Sequence, residues 1–95
     1  MRWLETIKVQ SATGKEQVIV DELMALAQEV QKSPNSQGLQ EAMVFCHASV
    51  TGFFAPRLFW NTDSPQSRGS MIGLSLVQAL KVFGLVDHSV WIEKT

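Results

Sequence analysis

The sequence predicts an α+β fold whose elements follow the order strand, helix, strand, strand, helix, strand. Two observations carry this prediction. Apolar residues recur at helical spacing in two stretches, and four other stretches are rich in the β-branched and aromatic residues that favour strands. The 95 residues are few enough for a single domain, which we place over residues 1–95. Association with a second copy commonly stabilises a core of this size.

The first strand is predicted over residues 2–10. Side chains alternate between the faces of a strand, so Trp3 and Ile7 share one face, with Glu5 between them. The content of β-branched residues is also typical of a strand. Residues 11–14, Ser-Ala-Thr-Gly, break the pattern and end the strand.

The first helix is predicted to follow this break. Thr13 and Glu16 match the capping box, in which the threonine caps the helix and the glutamate reaches back to it. Apolar residues then recur at helical spacing as far as about residue 32. Pro34 and its polar neighbours end the helix, because proline cannot continue the hydrogen-bond pattern.

A β-hairpin is predicted at the centre of the chain. Its strands cover residues 41–50 and 57–62, and the loop between them contains Gly52 and Pro56. Both faces of the first strand are largely apolar, which is unusual for a hairpin with one face in water. We therefore expect the helices to cover one face and a second copy of the chain to cover the other. The face expected to meet the second copy carries Met43, Phe45 and His47.

The second helix has two candidate starts. Ser64 before Pro65 is one, and Ser70 is the other if Gly69 delays the first regular turn. Apolar residues spaced by four then continue the helix, and Gly84 is placed to end it.

The last strand is predicted over residues 87–93, with His88 and Trp91 on opposite faces. The complete order is that of the split βαβ, or ferredoxin-like, fold. The right-handed crossover rule then places both helices on one face of a four-stranded antiparallel sheet. Since the uncovered face still carries apolar side chains, we expect it to form an interface.

Charge and composition exclude several classes of protein. The net charge is -1, and the 8 Lys and Arg residues are scattered, which argues against a nucleic-acid partner. No apolar run approaches the roughly 20 residues that span a bilayer, so no membrane partner is expected. The N-terminus lacks the apolar segment of a signal peptide. One cysteine cannot form an internal disulfide, which favours a reducing, cytoplasmic location.

Two local motifs have structural interpretations. Cys46 and His47 are neighbours in a strand and point to opposite faces, so they cannot form a nucleophile–base pair with each other. We expect Cys46 to face the helices as a buried and inert side chain. Gly69 and Gly73 have GxxxG spacing, which outside a membrane predicts close packing of the second helix on the sheet.

Residues 57–65, Arg-Leu-Phe-Trp-Asn-Thr-Asp-Ser-Pro, together with the element order and the chain length, resemble the dimeric α+β barrel superfamily. Within it, the pattern is most similar to the antibiotic-biosynthesis-monooxygenase-like domains. Members of this family carry a tryptophan at the end of the third strand, a position that Trp60 matches. The resemblance implies a homodimer with an apolar cavity in each subunit, between the sheet and the helices. It also implies, for some members, oxidation of aromatic polyketides with no metal or flavin.

The haem-degrading branch of the same superfamily differs from this chain. Its members use a histidine from the second helix and an asparagine from the first strand. Residues 70–83 contain no histidine, and residues 2–10 contain no asparagine. The chain also lacks tyrosine, another common cavity residue of the family. We therefore expect no cofactor.

The candidate catalytic residues are His47 and Trp60. His47 would act as a general base or hydrogen-bond partner, and Trp60 would stack on the substrate or donate its indole N–H. A satisfied structural histidine and a core tryptophan are the alternatives. Two histidines without matching carboxylates form no metal motif. The candidate ligand-binding residues are Met43, Phe45, Asn61, His88 and Trp91.

Two functions follow from these residues. The first is a cofactor-independent monooxygenase for a small apolar or aromatic compound, whose cavity stabilises a carbanion or enolate that reacts with oxygen. The second is a non-catalytic module that binds a small ligand or only dimerises. An open, largely apolar cavity of about 300 Å³ or more between sheet and helices in the dimer, with His47 exposed to it, favours catalysis or ligand binding. An interface packed with Met43, Phe45 and Trp60 favours a structural role.

Overall fold

The structure is a computed structural model, which describes residues 1–11 and 16–94. Its elements follow the predicted order βαββαβ. None of the described helices is long and apolar enough to cross a membrane. The elements are β1 (Arg2–Ser11), α1 (Glu16–Val30), β2 (Leu39–Cys46), β3 (Phe53–Asn61), α2 (Met71–Leu80), a short 3₁₀ turn (Lys81–Phe83) and β4 (Gly84–Ile92).

The four strands form an antiparallel sheet in the order β2-β3-β1-β4. Both helices contribute to one apolar core on the same side of the sheet, which we call the helix face; the other side is the open face. This is the ferredoxin-like arrangement, so the predicted fold class is confirmed. The core consists of Trp3, Ile7, Val9, Ile19, Leu23, Phe54, Leu58, Trp60, Ile72, Leu76 and Leu80.

This core follows from the spacing of apolar residues in the sequence. In β1, the side chains of Trp3, Ile7 and Val9 lie on the helix face and are buried. Ile19 and Leu23 are one turn apart on α1 and are its buried residues. Burial of a side chain of this size contributes about 1.5–3 kcal/mol, so tertiary contacts rather than helix propensity hold the helices in place.

The hairpin differs from its prediction at the start of the second strand. β3 begins at Phe53, so Pro56 lies inside the strand and not in the loop. Pro56 is buried on the helix face, where it pairs with Val44 of β2. The ladder to β1 is interrupted at this point, because proline has no N–H to donate. Burial of the alternate residues of β3 therefore outweighs the preference of proline for a turn.

The second helix begins at the later of its two predicted starts. Ser70 is the N-cap, and its hydroxyl oxygen accepts a hydrogen bond of 2.9 Å from the Gly73 N–H. The helix ends at Leu80, earlier than predicted, and β4 begins at Gly84, also earlier than predicted. The extra residues of β4 pair with the end of β1 as far as Ser11, whose backbone groups would otherwise lack partners in the sheet.

The first helix agrees with its prediction within the described residues. It begins at Glu16 and ends at Val30, slightly before the predicted end, since residues 31 and 32 already form a turn. The predicted cap at Thr13 lies outside the described residues.

Cys46 is exposed, so the prediction of a buried side chain is wrong. The residue does lie on the helix face, because it pairs with the buried Phe54 of β3. It is, however, the last residue of an edge strand. Only the earlier part of β2 is partly covered, at Ala42 and Val44.

Candidate functional site

A cleft of about 380 Å³ lies where β3 ends and α2 begins. Its wall is formed by Trp3 and Trp60 on the sheet and by Ser70 and Met71 at the start of α2. We call it the tryptophan cleft. Its polar rim comes from the two connections before β2 and before α2, and consists of Asn35, Gln37, Thr62, Asp63, Ser64 and Gln66.

Two stacked tryptophans form the sheet side of this cleft. Trp3 and Trp60 pair across β1 and β3, with ring centroids 5.4 Å apart and ring planes 12° apart. The indole N–H of Trp3 donates to the Thr62 hydroxyl at 2.8 Å, and that hydroxyl donates to the Ser64 carbonyl oxygen at 2.8 Å. These bonds join the tryptophan pair to the rim and fix the start of the connection to α2.

The indole N–H of Trp60 differs from that of Trp3. Its nitrogen is buried and has no hydrogen-bond partner within residues 1–11 and 16–94. A buried donor without an acceptor costs about 1–3 kcal/mol. Such groups are rare in folded proteins, and an acceptor from water or from a ligand would satisfy this donor.

A buried carboxylate lies next to the same end of α2. Glu5 of β1 has no exposed surface. Its Oε1 accepts a hydrogen bond of 2.8 Å from the Ser70 N–H, and its Oε2 is 3.0 Å from His88 Nε2 on β4. A carboxylate at a helix N-terminus is stabilised by the unpaired N–H groups and the helix dipole. The cluster therefore ties β1, β4 and the cleft wall together.

Two glycines make room for this cluster. A side chain at Gly73 would overlap Oε2 of Glu5, and one at Gly69 would overlap the imidazole of His88. The close packing predicted from the GxxxG spacing is therefore confirmed. Sequence analysis did not identify the Glu5–His88 pair. The available signals were an acid between apolar residues on the buried face of β1 and the two glycines before and within α2.

His47 lies far from the tryptophan cleft. β2 pairs Leu39 with Trp60 at one end and Cys46 with Phe54 at the other, and His47 follows Cys46. At about 3.3 Å per residue, the strand separates His47 from Trp60 by more than about 20 Å. The two candidate catalytic residues therefore cannot contact one substrate within a protomer, contrary to the single cavity that we expected.

The local contacts of His47 are those of a structural histidine with satisfied hydrogen bonds. Its Nδ1 accepts hydrogen bonds from the backbone N–H groups of Ser49 at 3.1 Å and Val50 at 3.0 Å. These bonds organise the loop between β2 and β3. The imidazole also lines a separate groove of about 480 Å³ together with Phe45 and Arg57. No described residue of either helix lines this groove, and Trp60 does not line it.

Three of the candidate ligand-binding residues lie on the open face. Met43, Phe45 and Trp91 expose 37%, 37% and 60% of their surface. The guanidinium of Arg57 lies 4.9 Å from the centre of the Phe45 ring, a cation–π contact. Trp60 lies on the helix face and is 3% exposed. The structure therefore separates Trp60 from the open-face candidates.

Asn61 and His88 occupy two further places. The Asn61 Oδ1 accepts a hydrogen bond of 3.1 Å from the N-terminal ammonium of Met1, and it does not line the cleft. His88 contacts Glu5 beside α2, as described above. No group of three or more His, Cys, Asp or Glu side chains in the described part of the chain is placed to bind a metal ion.

A second charged pair lies at the surface near Trp91. Arg2 and Glu93 form two side-chain hydrogen bonds between the start of β1 and the end of the chain, and all three residues line a groove of about 440 Å³. The hydrogen bond with Glu93 raises the pKa of Arg2. The same bond lowers the pKa of Glu93. Since both side chains are exposed, solvent screens the pair.

Comparison with protein-family profiles and with curated proteins found no match to the sequence. Solved structures do match the fold. Rv0793 from Mycobacterium tuberculosis superposes with a TM-score of 0.70 at 12% identity, over 100% of this chain and 97% of that one. A candidate antibiotic biosynthesis monooxygenase from Deinococcus radiodurans gives 0.67 at 12% identity, over 98% and 93%.

A candidate antibiotic biosynthesis monooxygenase from Chloroflexus aurantiacus gives a TM-score of 0.54 at 14% identity, over 100% of this chain and 97% of that one. Identities this low establish similarity of fold alone. The chain thus shares the ferredoxin-like fold of the antibiotic-biosynthesis-monooxygenase-like proteins. The resemblance predicted from the sequence is confirmed at that level.

Proposed function

We propose that the chain forms a homodimer whose subunits bind a small aromatic compound in the tryptophan cleft and promote its reaction with oxygen without a metal or flavin. One observation carries the proposal: the buried N–H of Trp60 beside the cleft has no acceptor among the described residues. A ligand oxygen that accepted this hydrogen bond would remove the cost of the unpaired donor. The names of two structural neighbours, both candidate monooxygenases, support the same activity.

The reaction can be written for an anthrone, a tricyclic ketone with an acidic ring CH₂ group. Its carbonyl oxygen accepts the hydrogen bond from Trp60 Nε1. When the CH₂ group loses a proton to water, negative charge develops on that oxygen and strengthens the bond. The resulting carbanion adds to O₂. One oxygen atom stays as a new carbonyl group, and the other leaves as water with the two CH₂ hydrogens.

Entry of the substrate requires some movement at the cleft. The Trp60 nitrogen is covered in the free protein, so a ligand must displace the atoms above it. The rim is suited to this movement because Asp63, Ser64 and Gln66 are exposed residues of a connecting segment. The tryptophan pair is instead held in the core, where it keeps the donor in a fixed position.

We propose the dimer on the basis of the open face, which keeps exposed apolar side chains. A standard interface covers about 800 Å² per partner, and if somewhat over half is apolar, roughly 450 Å² of apolar surface leaves water per chain. At about 25 cal/mol per Å², this contributes about 11 kcal/mol per chain before the costs of association. We also propose a cytoplasmic location, where the exposed thiol of Cys46 would stay reduced.

The test measures oxygen uptake and anthraquinone formation with anthrone as the probe. We expect Trp60→Phe, which keeps the ring and removes the N–H, to lower the turnover rate by about 10²-fold, as for other oxyanion donors. Trp3→Phe is the matched control, because its N–H already has Thr62 as an acceptor. Turnover by the wild-type protein no faster than in buffer would contradict the proposed enzyme.

A non-catalytic binding module is the second candidate. It is favoured by the chemistry of the rim, where Asp63 is the only carboxylate among the described residues of the cleft and is exposed. Binding of an aromatic ligand that Trp60→Phe weakens, without oxygen uptake, would identify this function. The role of His47 stays a prediction, and its separation from the cleft means that a catalytic His47 would have to act at a different groove.

A further inference from the structure

We propose that the tryptophan cleft selects an uncharged, polyhydroxylated aromatic compound and discriminates against the carboxylate of the same ring system. This inference rests on the proposed function, because it assigns the substrate class of the same cleft. It is carried by the charges and the hydrogen-bonding groups around the cleft.

The rim offers hydrogen bonds but no positive charge. No Lys, Arg or His side chain lines the cleft in the part of the chain that the structure describes. Amide groups of Asn35, Gln37 and Gln66 and hydroxyl groups of Thr62 and Ser64 line it instead. Amides and hydroxyls both donate and accept, so they suit ligand hydroxyl groups, which do the same. A ligand carboxylate would find donors but no ion pair.

Asp63 makes the cleft unfavourable for anions. Its side chain is exposed on the rim and has no ion pair with another described residue. Two like charges about 6 Å apart repel by about 0.7 kcal/mol in water and by several-fold more at a lower effective dielectric constant. A ligand carboxylate near Asp63 would therefore be repelled rather than bound.

The cations next to the cleft residues in sequence or by hydrogen bond do not line the cleft. The N-terminal ammonium donates to the Asn61 side chain at 3.1 Å and to the Thr62 carbonyl at 2.9 Å, and Met1 does not line the cleft. The Arg2 guanidinium is hydrogen-bonded to Glu93 beside a different groove. Arg68, an exposed residue of the connection between β3 and α2, does not line the cleft either.

The experiment compares the affinity of two ligands that share one ring system. The probes are 1,8-dihydroxyanthraquinone and the same compound with a ring carboxylate, which lack the CH₂ group and cannot be oxidised as an anthrone is. Binding is followed by quenching of tryptophan fluorescence at low ionic strength and pH 7. We expect the neutral compound to bind about tenfold more tightly than the carboxylate, which corresponds to about 1.4 kcal/mol.

Two variants assign the preference to the cleft. Asp63→Asn should lower the ratio of the two affinities from about tenfold to about threefold, chiefly through tighter binding of the carboxylate. Asp87→Asn makes the same change in net charge on the open face, where Asp87 pairs with Lys8 in the ladder, and should leave the difference unchanged. Equal effects of the two variants would indicate a general charge effect and overturn the assignment.

The outcomes separate this inference from the proposed function. Equal affinity for the two compounds, or a preference for the carboxylate, overturns the inference and leaves binding in the cleft intact. A failure of both compounds to bind contradicts the proposed function, and the inference falls with it. A neutral preference that Asp63→Asn reduces and Asp87→Asn does not change supports both.

Discussion

The two faces of the sheet both carry apolar side chains but have opposite surroundings. On the helix face, Ile7, Leu58 and Leu80 are fully or almost fully buried. On the open face, Phe45 and Trp91 remain exposed although no described element of the chain covers them. The difference indicates that the helix face is completed within one chain, whereas the open face is suited to contact another.

Each face of the sheet also carries polar groups with its own kind of contacts. The helix face contains the buried Glu5–His88 pair and the unpaired N–H of Trp60. Buried polar groups are costly unless they are paired, so their positions on this face indicate specific roles. The open face has Arg57, whose guanidinium lies over the Phe45 ring and whose Nε is likewise buried without a partner among the described residues. The two unpaired donors differ in their surroundings, since Trp60 lines the tryptophan cleft and Arg57 lies among the exposed apolar side chains of the proposed interface. We therefore propose ligand chemistry for the helix face and assembly for the open face.

The strongest test of this division introduces a charge on the open face. Phe45→Asp would place an unpaired carboxylate in the proposed interface, which costs about 3–5 kcal/mol when the charge is buried. We expect the dissociation constant of the dimer to rise by more than about 100-fold, because 1.4 kcal/mol is a factor of ten. Sedimentation equilibrium across a dilution series measures this change.

Met24→Asp is the matched control for Phe45→Asp. It introduces the same charge on the outer side of α1, at a side chain that is 49% exposed, and should leave the dimer intact. A wild-type protein that is monomeric at tens of micromolar would contradict both the dimer and the assignment of the open face.

On the helix face, the most sensitive position is Gly73. Alanine normally stabilises a helix relative to glycine by about 1 kcal/mol. Here its methyl group would overlap the Glu5 carboxylate, which is fully buried and held by Ser70 and His88. We expect Gly73→Ala to lower the free energy of unfolding by about 3 kcal/mol, from overpacking and from loss of the hydrogen bonds of the buried Glu5 side chain.

Urea unfolding measures the effect of Gly73→Ala. Ser75→Ala, at an exposed position of the same helix, is the control and should change the free energy of unfolding by less than about 0.5 kcal/mol. A Gly73→Ala protein as stable as the wild type would mean that the carboxylate can relocate without cost.

The sequence allowed the fold and the sheet faces to be predicted, because alternation along strands and helical spacing are local properties. The side of Phe45 and the packing role of Gly73 followed from such patterns. The predictions that failed concern residues whose surroundings depend on tertiary contacts. Cys46 has the correct face but lies at the end of an edge strand, and Pro56 is held in a strand by burial.

The candidate site was predicted only in part. Trp60 was identified from a motif, but its separation from His47 depends on the register of β2 and β3, which places the two at opposite ends of the hairpin. The Glu5–His88 pair joins residues 83 positions apart, so no local pattern could bring it together. These features follow from strand pairing, which sequence patterns alone leave open.

A smaller effect is expected for His47, whose imidazole caps the loop between the hairpin strands. His47→Ala removes the acceptor for the Ser49 and Val50 N–H groups. Since the loop is exposed, water replaces the lost bonds, and we expect a loss of about 0.5–1.5 kcal/mol in the free energy of unfolding. Oxygen uptake with anthrone should not change. A large loss of turnover without a loss of stability would instead support a catalytic His47.

The smallest effect is expected at Glu93, a carboxylate whose surroundings contrast with those of Glu5. The hydrogen bond from Arg2 lowers the pKa of Glu93 below its ordinary value of 4.5. A lowered folded-state pKa means that the pair stabilises the protein above about pH 4.5 and that this contribution is lost as the pH falls through the folded-state pKa.

Glu93→Gln should therefore shift the urea midpoint slightly downward at pH 7, and this shift should diminish as the pH falls below 4.5. High salt should remove the shift at pH 7, because exposed charges are screened. Glu22→Gln, at an exposed position of α1, controls for the change in net charge. A shift as large as that of Gly73→Ala, or one that persists in 1 M salt, would show that the pair is shielded from solvent. Such shielding would place the end of β4, beside Trp91, inside the dimer interface and would extend the covered part of the open face to that edge of the sheet.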